Sequence, residues 1–505
     1  MISHDRFCIW YGVVTYALYN LVNFQKIAKW FYLNGGEDYL GLAAFLCIGL
    51  FIYIFFLLLL AHRATTKPVA ISFVMLGATG AYFVSKYNVA IDRTMVMNAL
   101  HTDRAEVHSL LSWEMVPYLL FMMLVPIWVL LRVRLSYEKN YFLASMKIMI
   151  VVLASSVCLT YLFFPSISRA ANLSDKRIVY TLVPINYLQS FGSIIQNTIK
   201  TYSKSHVSEI SATGHVVERK NMMVVLAIGE SARQDNFSLY GYKRRNTNPE
   251  LSKVNGLHVL NGKARLGSTL YALPEILTKN DLALPAFTTK MGIDTVCYVN
   301  FTLYKNCSIP GESAVTNCAH EGKCFDEDVI PMMAGRINSY VSGYSFTVLH
   351  LGGGSHGPSY SERIPDEYHQ FMPLCKDADV VNQCSVDQLY NSYDNTLLYT
   401  DHVLAKIIMK LDQSDLPYVF IYLSDHGESL LEEGRIFHGM PPGIKLPPEQ
   451  ARIPMFVKSS VPLVIDQRQE YAQTDIFDTI LNLLSVESNV HDGARGFIGY
   501  PRDSH

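Results

Sequence analysis

Apolar residues are unevenly spread along the chain. Long uninterrupted runs crowd into the first 165 residues, and from Asn221 onward short apolar runs alternate with amphipathic stretches. Five of the long runs, 7–24, 39–60, 69–84, 115–131 and 146–164, are candidate membrane spans. Their lengths bracket the roughly 20 apolar residues that cross a hydrocarbon core. A long first run followed by four more is not the pattern of a cleaved signal peptide. In the second part, 222–228, 295–300, 345–351 and 418–423 read as buried strands, whereas 393–411 and 475–484 carry helical periodicity. Such alternation predicts an α/β domain around a mostly parallel sheet. The expected organisation is a transmembrane domain over 1–165, a membrane-surface helix and linker over 166–220, and a soluble domain over 221–505.

Two polar interruptions refine this picture. The stretch 88–114 is too polar to cross a bilayer but has helical spacing, so Asn98, Thr102 and Glu106 share one helix face. Residues 178–200 read as an amphipathic segment lying on the membrane surface.

Charge and cysteine placement give the orientation. Arg6, Arg63, Lys67, Arg132, Arg134 and Lys139 fall at alternate span ends, which the positive-inside rule puts in the cytoplasm, against a smaller set of Lys26, Lys29, Lys86, Arg93 and Arg104 opposite. Five spans then leave everything after Phe164 outside. Cys8, Cys47 and Cys158 lie in spans and read as packing residues. Cys297, Cys307, Cys318, Cys324, Cys375 and Cys384 come in short pairs without CxxC spacing, which suits three local disulfides in an oxidising compartment. Both features put the soluble domain outside the inner membrane, in a periplasm if the cell has one. A formal net charge of -2 over 505 residues argues against nucleic acid as a partner.

In open α/β sheets ligands bind beyond the carboxyl ends of the strands. The polar residues there are Glu230, Asp425 and His426, with His356 slightly further on. A carboxylate that ends a buried strand needs a partner to offset desolvation, and a metal supplies one. Asp425 and His426 after the run 418–423 offer an oxygen and a nitrogen to a zinc ion; a capping Asp and a surface His are the plainer alternative. Thr269 and Ser268, at the start of the helix-like stretch 270–277, are both nucleophile candidates, and spacing alone does not separate them. His356 and His438 sit in glycine-containing loops, where the backbone can approach a ligand. His350, inside a strand, reads as a packed core residue.

Gly229-Glu230-Ser231-Ala232-Arg233, Asn236 to Tyr242, Ser355-His356-Gly357-Pro358, Tyr393-Asp394-Asn395-Thr396, Ser424 to Ser429 and His438 to Pro441 together resemble bacterial lipopolysaccharide phosphoethanolamine transferases. The resemblance covers nearly the whole chain. It implies an alkaline phosphatase or sulfatase-like catalytic domain with one tightly bound Zn2+ on Glu230, Thr269, Asp425 and His426, and a second zinc during turnover left open. It also implies Thr269 as nucleophile, His356 and His438 against the phosphoethanolamine group or that second zinc, and Lys305 as a further contact. Asn98, Thr102 and Glu106 match part of the lipid donor site. The implied reaction moves phosphoethanolamine from phosphatidylethanolamine through a phosphothreonine to lipopolysaccharide, releasing diacylglycerol, in a monomer embedded among membrane lipids; such chemistry is tied to polymyxin resistance.

One departure concerns the acceptor. Members that modify lipid A phosphates often have cysteines bracketing the nucleophile segment; those places lie near Arg265 and Glu275 here, and an extra pair appears at Cys297 and Cys307. The chain therefore looks closer to the branch that modifies the Kdo sugar of the inner core, with lipid A phosphate next. The competing expectations are transfer of phosphoethanolamine or glycerophosphate to a glucan or other envelope polymer, and a catalytically silent membrane scaffold.

Overall fold

The structure is a computed structural model of the 505-residue chain, and it describes all residues except 33–37, 88–90, 102–111, 175–176, 197–211, 281, 300–313, 316–324, 353–358, 378–379, 441–443 and 502–505. It divides into two compact units, one built mainly from Met1–Leu100 and Leu111–Asn197, the other from Thr198–Met440 and Lys445–His505.

The first unit is helical: α1 (His4–Tyr32), α2 (Tyr39–Leu60), α3 (Thr66–Tyr87), α4 (Arg93–His101), α5 (Met115–Arg132) and α6 (Tyr141–Leu162). By length and composition α2, α3, α5 and α6 can each cross a bilayer. Helix α1 bends by 74° between His4–Leu21 and Asn23–Tyr32 and makes a fifth span if its two parts count as one. Backbone and side-chain polar groups at membrane depth must find partners within the protein. Asn20 does so twice over, donating from Nδ2 to Val183 O at 2.6 Å and accepting Val183 N–H on Oδ1 at 2.8 Å. Tyr11 donates to Ala70 O and Tyr16 to Leu46 O. In α5 the segment Leu120–Leu124 widens into a π-helical turn just before Pro126. Proline has no N–H to offer the carbonyl four residues back, and that carbonyl, Met122 O, instead accepts Tyr19 O–H at 2.9 Å. The Tyr19 ring lies over Gly77, where a Cβ would come within 2.4 Å of it. Cys8 is buried as expected, but Cys47 and Cys158 are exposed on their spans, so packing accounts for only the first.

The second unit holds β1 (Met222–Gly229), β2 (His258–Lys263), α7 (Thr269–Leu277), β3 (Asp294–Val299), β4 (Ala314–Val315), β5 (Tyr344–His350), α8 (Val386–Asp412), β6 (Tyr418–Ser424), β7 (Arg452–Ser459) and β8 (Tyr471–Ala472). The strands form one sheet in the order β8-β2-β7-β6-β1-β5-β3-β4, and only β7 runs against the rest. β1, β5 and β6 are buried at every position. Strands covered on both faces carry continuous apolar runs, which is why these three stand out in the sequence. The pairings Ile228 with His350 and Gly229 with Ser424 bring their carboxyl ends level, so the residues that follow each strand emerge side by side.

Helix α8 turns polar residues inward, each for a backbone or side-chain partner. Asp394 accepts from Asn236 Nδ2 and Tyr242 O–H, Asn395 exchanges hydrogen bonds with the backbone of Phe371, and Asp401 accepts Glu250 N–H and Leu251 N–H. The Tyr393-Asp394-Asn395-Thr396 motif thus has structural work in holding loops onto the helix.

Candidate active site

Glu230 follows β1, and Asp425 and His426 follow β6; all three are fully buried. The turn after β1 is tight. Ser231 has a φ of +52°, a costly conformation for a residue with a side chain. Two contacts fix it: its N–H donates to Asp425 Oδ1 at 2.9 Å and its hydroxyl to Glu230 Oε1 at 2.7 Å. The neighbouring glycines are steric necessities. A Cβ on Gly229 would lie 2.4 Å from the Tyr422 hydroxyl, and one on Gly427 only 2.2 Å from Glu449 O.

Thr269 is the first residue of α7, with Ser268 at the N-cap position. Its hydroxyl lies 2.9 Å from both oxygens of Glu230 and 3.2 Å from His426 Nε2. His426 Nδ1 lies 3.0 Å from Gly427 O, so Nδ1 carries the proton and Nε2 the lone pair. That lone pair faces Asp425 Oδ2 at 3.3 Å and Glu230 Oε1 at 3.6 Å. The structure therefore brings Glu230, Thr269, Asp425 and His426 together at one point. Ser268, 2 % exposed, is the more buried of the two hydroxyl candidates.

The electrostatics suit a cation. Burial, followed by the charge of Asp425, pushes the Glu230 carboxyl up, and burial pushes Asp425 up as well. Burial pushes the His426 imidazole down, so it stays neutral. While Asp425 Oδ1 accepts from the N–H groups of Ser231 and His426, its buried Oδ2 has no hydrogen-bond partner among the described residues. Candidate ligand atoms of Glu230, Asp425 and His426 lie within 4.8 Å of one another. Ligands of a tetrahedral zinc sit roughly 3.3 Å apart, and the separations of 2.9, 3.2, 3.3 and 3.6 Å bracket that value. Two carboxylates, a neutral imidazole nitrogen and a hydroxyl are a donor set that fits Zn2+.

Of the other expected contacts, His438 is present: its ring centroid is 4.4 Å from that of His426, and its Nδ1 is 2.9 Å from Glu428 Oε2. Asn98 belongs to α4 in the other unit. Thr102, Glu106, Lys305 and His356 lie outside the described residues. Cys375 and Cys384 form a disulfide with a Cα separation of 5.5 Å. Cys297 is also disulfide-bonded, and Cys307, Cys318 and Cys324 lie outside the described residues.

The sequence reading offered neither His350 nor Glu428 as a site residue. His350, read as a packed core residue, is buried but brings Nε2 to 4.0 Å from Glu230 Oε2; its place at the end of a central strand was the available signal. Glu428, inside the recognised motif yet given no role, is fully buried, and burial pushes its carboxyl up to about 8. At the places where lipid A-modifying members often carry cysteines, Arg265 and Glu275 approach to 3.5 Å.

The model for "Phosphoethanolamine transferase EptA/EptB" matches residues 49–199 and that for "Sulfatase" residues 264–486. Phosphoethanolamine transferase EptA of Helicobacter pylori is 31% identical over 441 residues, covering 82% of this chain and 81% of that protein. The Kdo(2)-lipid A phosphoethanolamine 7''-transferase of Salmonella typhimurium is 25% identical over 83% of this chain and 80% of its own. The fold is also that of the integral membrane lipooligosaccharide phosphoethanolamine transferase A of Neisseria meningitidis, with a TM-score of 0.82 at 23% identity over 98% of both chains. A helical membrane unit, a mostly parallel sheet with acidic and imidazole groups at its carboxyl end, and the Helicobacter relative aligned over four-fifths of both chains lead to one assignment: the chain belongs to the phosphoethanolamine transferase family.

Proposed function

We propose that the protein is a zinc-dependent transferase that moves phosphoethanolamine from phosphatidylethanolamine to lipopolysaccharide through a phosphothreonine at Thr269. The observation that carries this reading is the Thr269 hydroxyl, held at a helix N-terminus within 2.9 Å of Glu230 and 3.2 Å of His426. Glu230, Asp425, His426 and Thr269 Oγ1 would hold the zinc. Zinc at this point supplies positive charge to the threonine oxygen and to the phosphoryl oxygens as charge develops there.

Thr269 Oγ attacks the phosphorus of the donor phosphodiester, and the bond to the diacylglycerol oxygen breaks. Its proton passes to the Glu230 carboxylate, already its hydrogen-bond acceptor, and on to the departing diacylglycerol oxygen, so that diacylglycerol leaves as the neutral alcohol. In the second step an acceptor oxygen displaces Thr269 Oγ and gives up the proton that Thr269 recovers. The N–H groups at the start of α7 favour the negative phosphoryl group in both steps. His438, with His356 and Lys305, is proposed to contact the transferred group. Asn98, Thr102 and Glu106 are proposed to contact the donor lipid.

For the acceptor, a disulfide at Cys297 supports the Kdo reading. The higher identity of relatives named EptA, 31% against 25%, keeps lipid A phosphate beside it. The membrane-spanning helices and disulfide-bonded cysteines support an inner-membrane protein with its catalytic unit in the periplasm.

Intact-lipid mass spectrometry of lipopolysaccharide from cells expressing wild type or Thr269→Ala tests this. A phosphoethanolamine increment that depends on Thr269 is expected, and its place on Kdo or on lipid A identifies the acceptor. No increment in a strain offering both acceptors would refute the lipopolysaccharide reading and favour a glucan or another envelope polymer.

A further inference from the structure

We propose that Glu428 is a positioning residue that fixes the ring orientation and tautomer of His438 for contact with the substrate; the inference rests on the transferase reading above. Four observations converge on this pair.

The first is register. Ser429 pairs with Phe437 and Leu430 with Ile436 in a short antiparallel hairpin. Extending that register by one residue sets Glu428 opposite His438, so the hairpin delivers them as cross-strand neighbours. The second is the anchoring of the carboxylate. Glu428 is fully buried; Oε2 lies 2.9 Å from His438 Nδ1, and Oε1 accepts the hydroxyl of the equally buried Tyr360 at 3.2 Å. Held at both oxygens, it cannot turn away from the imidazole.

The third observation is the hairpin's own support. Arg233 donates from Nη1 to Glu428 O at 3.2 Å and to Glu432 Oε1 at 2.7 Å, tying the strand-end turn that carries Glu230 to both ends of the first hairpin strand. The chain then bends sharply around His438, with φ of +64° at Phe437 and +101° at Gly439. The fourth is the position of the ring, its centroid 4.4 Å from that of His426, whose Nε2 contacts the Thr269 hydroxyl. His438 is one ring away from the proposed nucleophile, and its side chain keeps 12% exposure whereas that of Glu428 has none.

An ionised Glu428 accepts from Nδ1, and the Nε2 lone pair is then the acceptor atom of His438. The chemistry it recognises is an N–H or O–H donor: the ammonium of the transferred group or the hydroxyl of the incoming acceptor. Glu428 itself touches neither and acts through the imidazole.

The test is a double-mutant cycle on the purified full-length protein, with phosphatidylethanolamine and lipopolysaccharide as substrates and kcat and KM measured separately. Glu428→Ala and His438→Ala are each expected to lower kcat/KM by about 10–100-fold, the usual cost of losing a residue that orients a histidine. In a His438→Ala background, Glu428→Ala should cost nothing further. Glu428→Gln, whose amide oxygen can still accept from Nδ1, should recover most of the loss, and it decides the matter if the alanine variant fails to fold. Losses that multiply in the double variant would overturn the proposal. So would a glutamine variant as impaired as His438→Ala at an unchanged melting temperature. Comparing donor breakdown without lipopolysaccharide to complete transfer separates the two donors: a defect in both steps points to the ammonium, one confined to transfer points to the acceptor hydroxyl. Absence of any Thr269-dependent transfer in wild type would instead overturn the transferase reading, and this inference with it.

Discussion

The two units bury polar groups in opposite ways. In the membrane unit every instance described above is neutral and matched: Asn20 satisfies both polar groups of Val183, and Tyr19 caps the carbonyl that Pro126 leaves without a donor. The catalytic unit crowds two carboxylates against a neutral imidazole and leaves Asp425 Oδ2 without a hydrogen bond among the described residues. The first arrangement is complete in itself and stabilises the fold. The second leaves room for a cation, the arrangement expected where stability is given up for chemistry.

The largest test of that contrast is on activity. Thr269→Ala should lower transfer by about 10^4-fold or more, the scale seen when a nucleophile is removed, while leaving the melting temperature of the membrane unit unchanged. Metal removal comes next. Chelation should destabilise the catalytic unit by about 2.7 kcal/mol if zinc was present at about 100 times its Kd, and re-addition of Zn2+ should reverse the loss seen in a thermal melt. An unchanged melt would mean that the carboxylates need no cation.

Single substitutions then sharpen the contrast by sign. In metal-free protein Asp425→Asn should raise stability by about 1 kcal/mol, because it removes one of two facing buried charges. Asn20→Leu should lower it by about 1 kcal/mol, the scale of hydrogen bonds inside a bilayer. Asp401 lies between the two cases, buried but holding two N–H groups. Burial lifts its carboxyl to about 7, above the unfolded value of about 3.9. Its stabilising contribution is therefore full below pH of about 4 and is lost as pH rises through 7. The deficit of Asp401→Asn in a melt should shrink between about pH 4 and pH 7. The smallest effect is expected for Arg265→Ala, about 0.2–1 kcal/mol, since the Arg265 side chain is 66% exposed.

The same contrast explains what could be read from the sequence. β1, β5 and β6 are legible because burial on both faces writes an unbroken apolar run, and the residues that follow them were therefore visible as candidates. β2 and β7 were not predicted as strands. β2 reads His258-Val259-Leu260-Asn261-Gly262-Lys263 with mostly exposed positions, and β7 contains Pro454. Neither period nor propensity marks them; their neighbours do. Choosing Thr269 over Ser268 needed either the family resemblance or the fold, since adjacent hydroxyls differ only in the direction the helix start gives them. The Glu428–His438 pair was hidden for a different reason. It depends on the register of a hairpin with only two paired positions per strand, and a register is not written in any local pattern.

The central claim is that Thr269 carries the transferred group. Peptide mass spectrometry of the full-length protein after incubation with vesicles containing phosphatidylethanolamine, without lipopolysaccharide, tests it most directly. The account predicts a phosphoethanolamine increment on Thr269 that disappears when lipopolysaccharide is added. An increment on Ser268, or none while diacylglycerol is released, would contradict it.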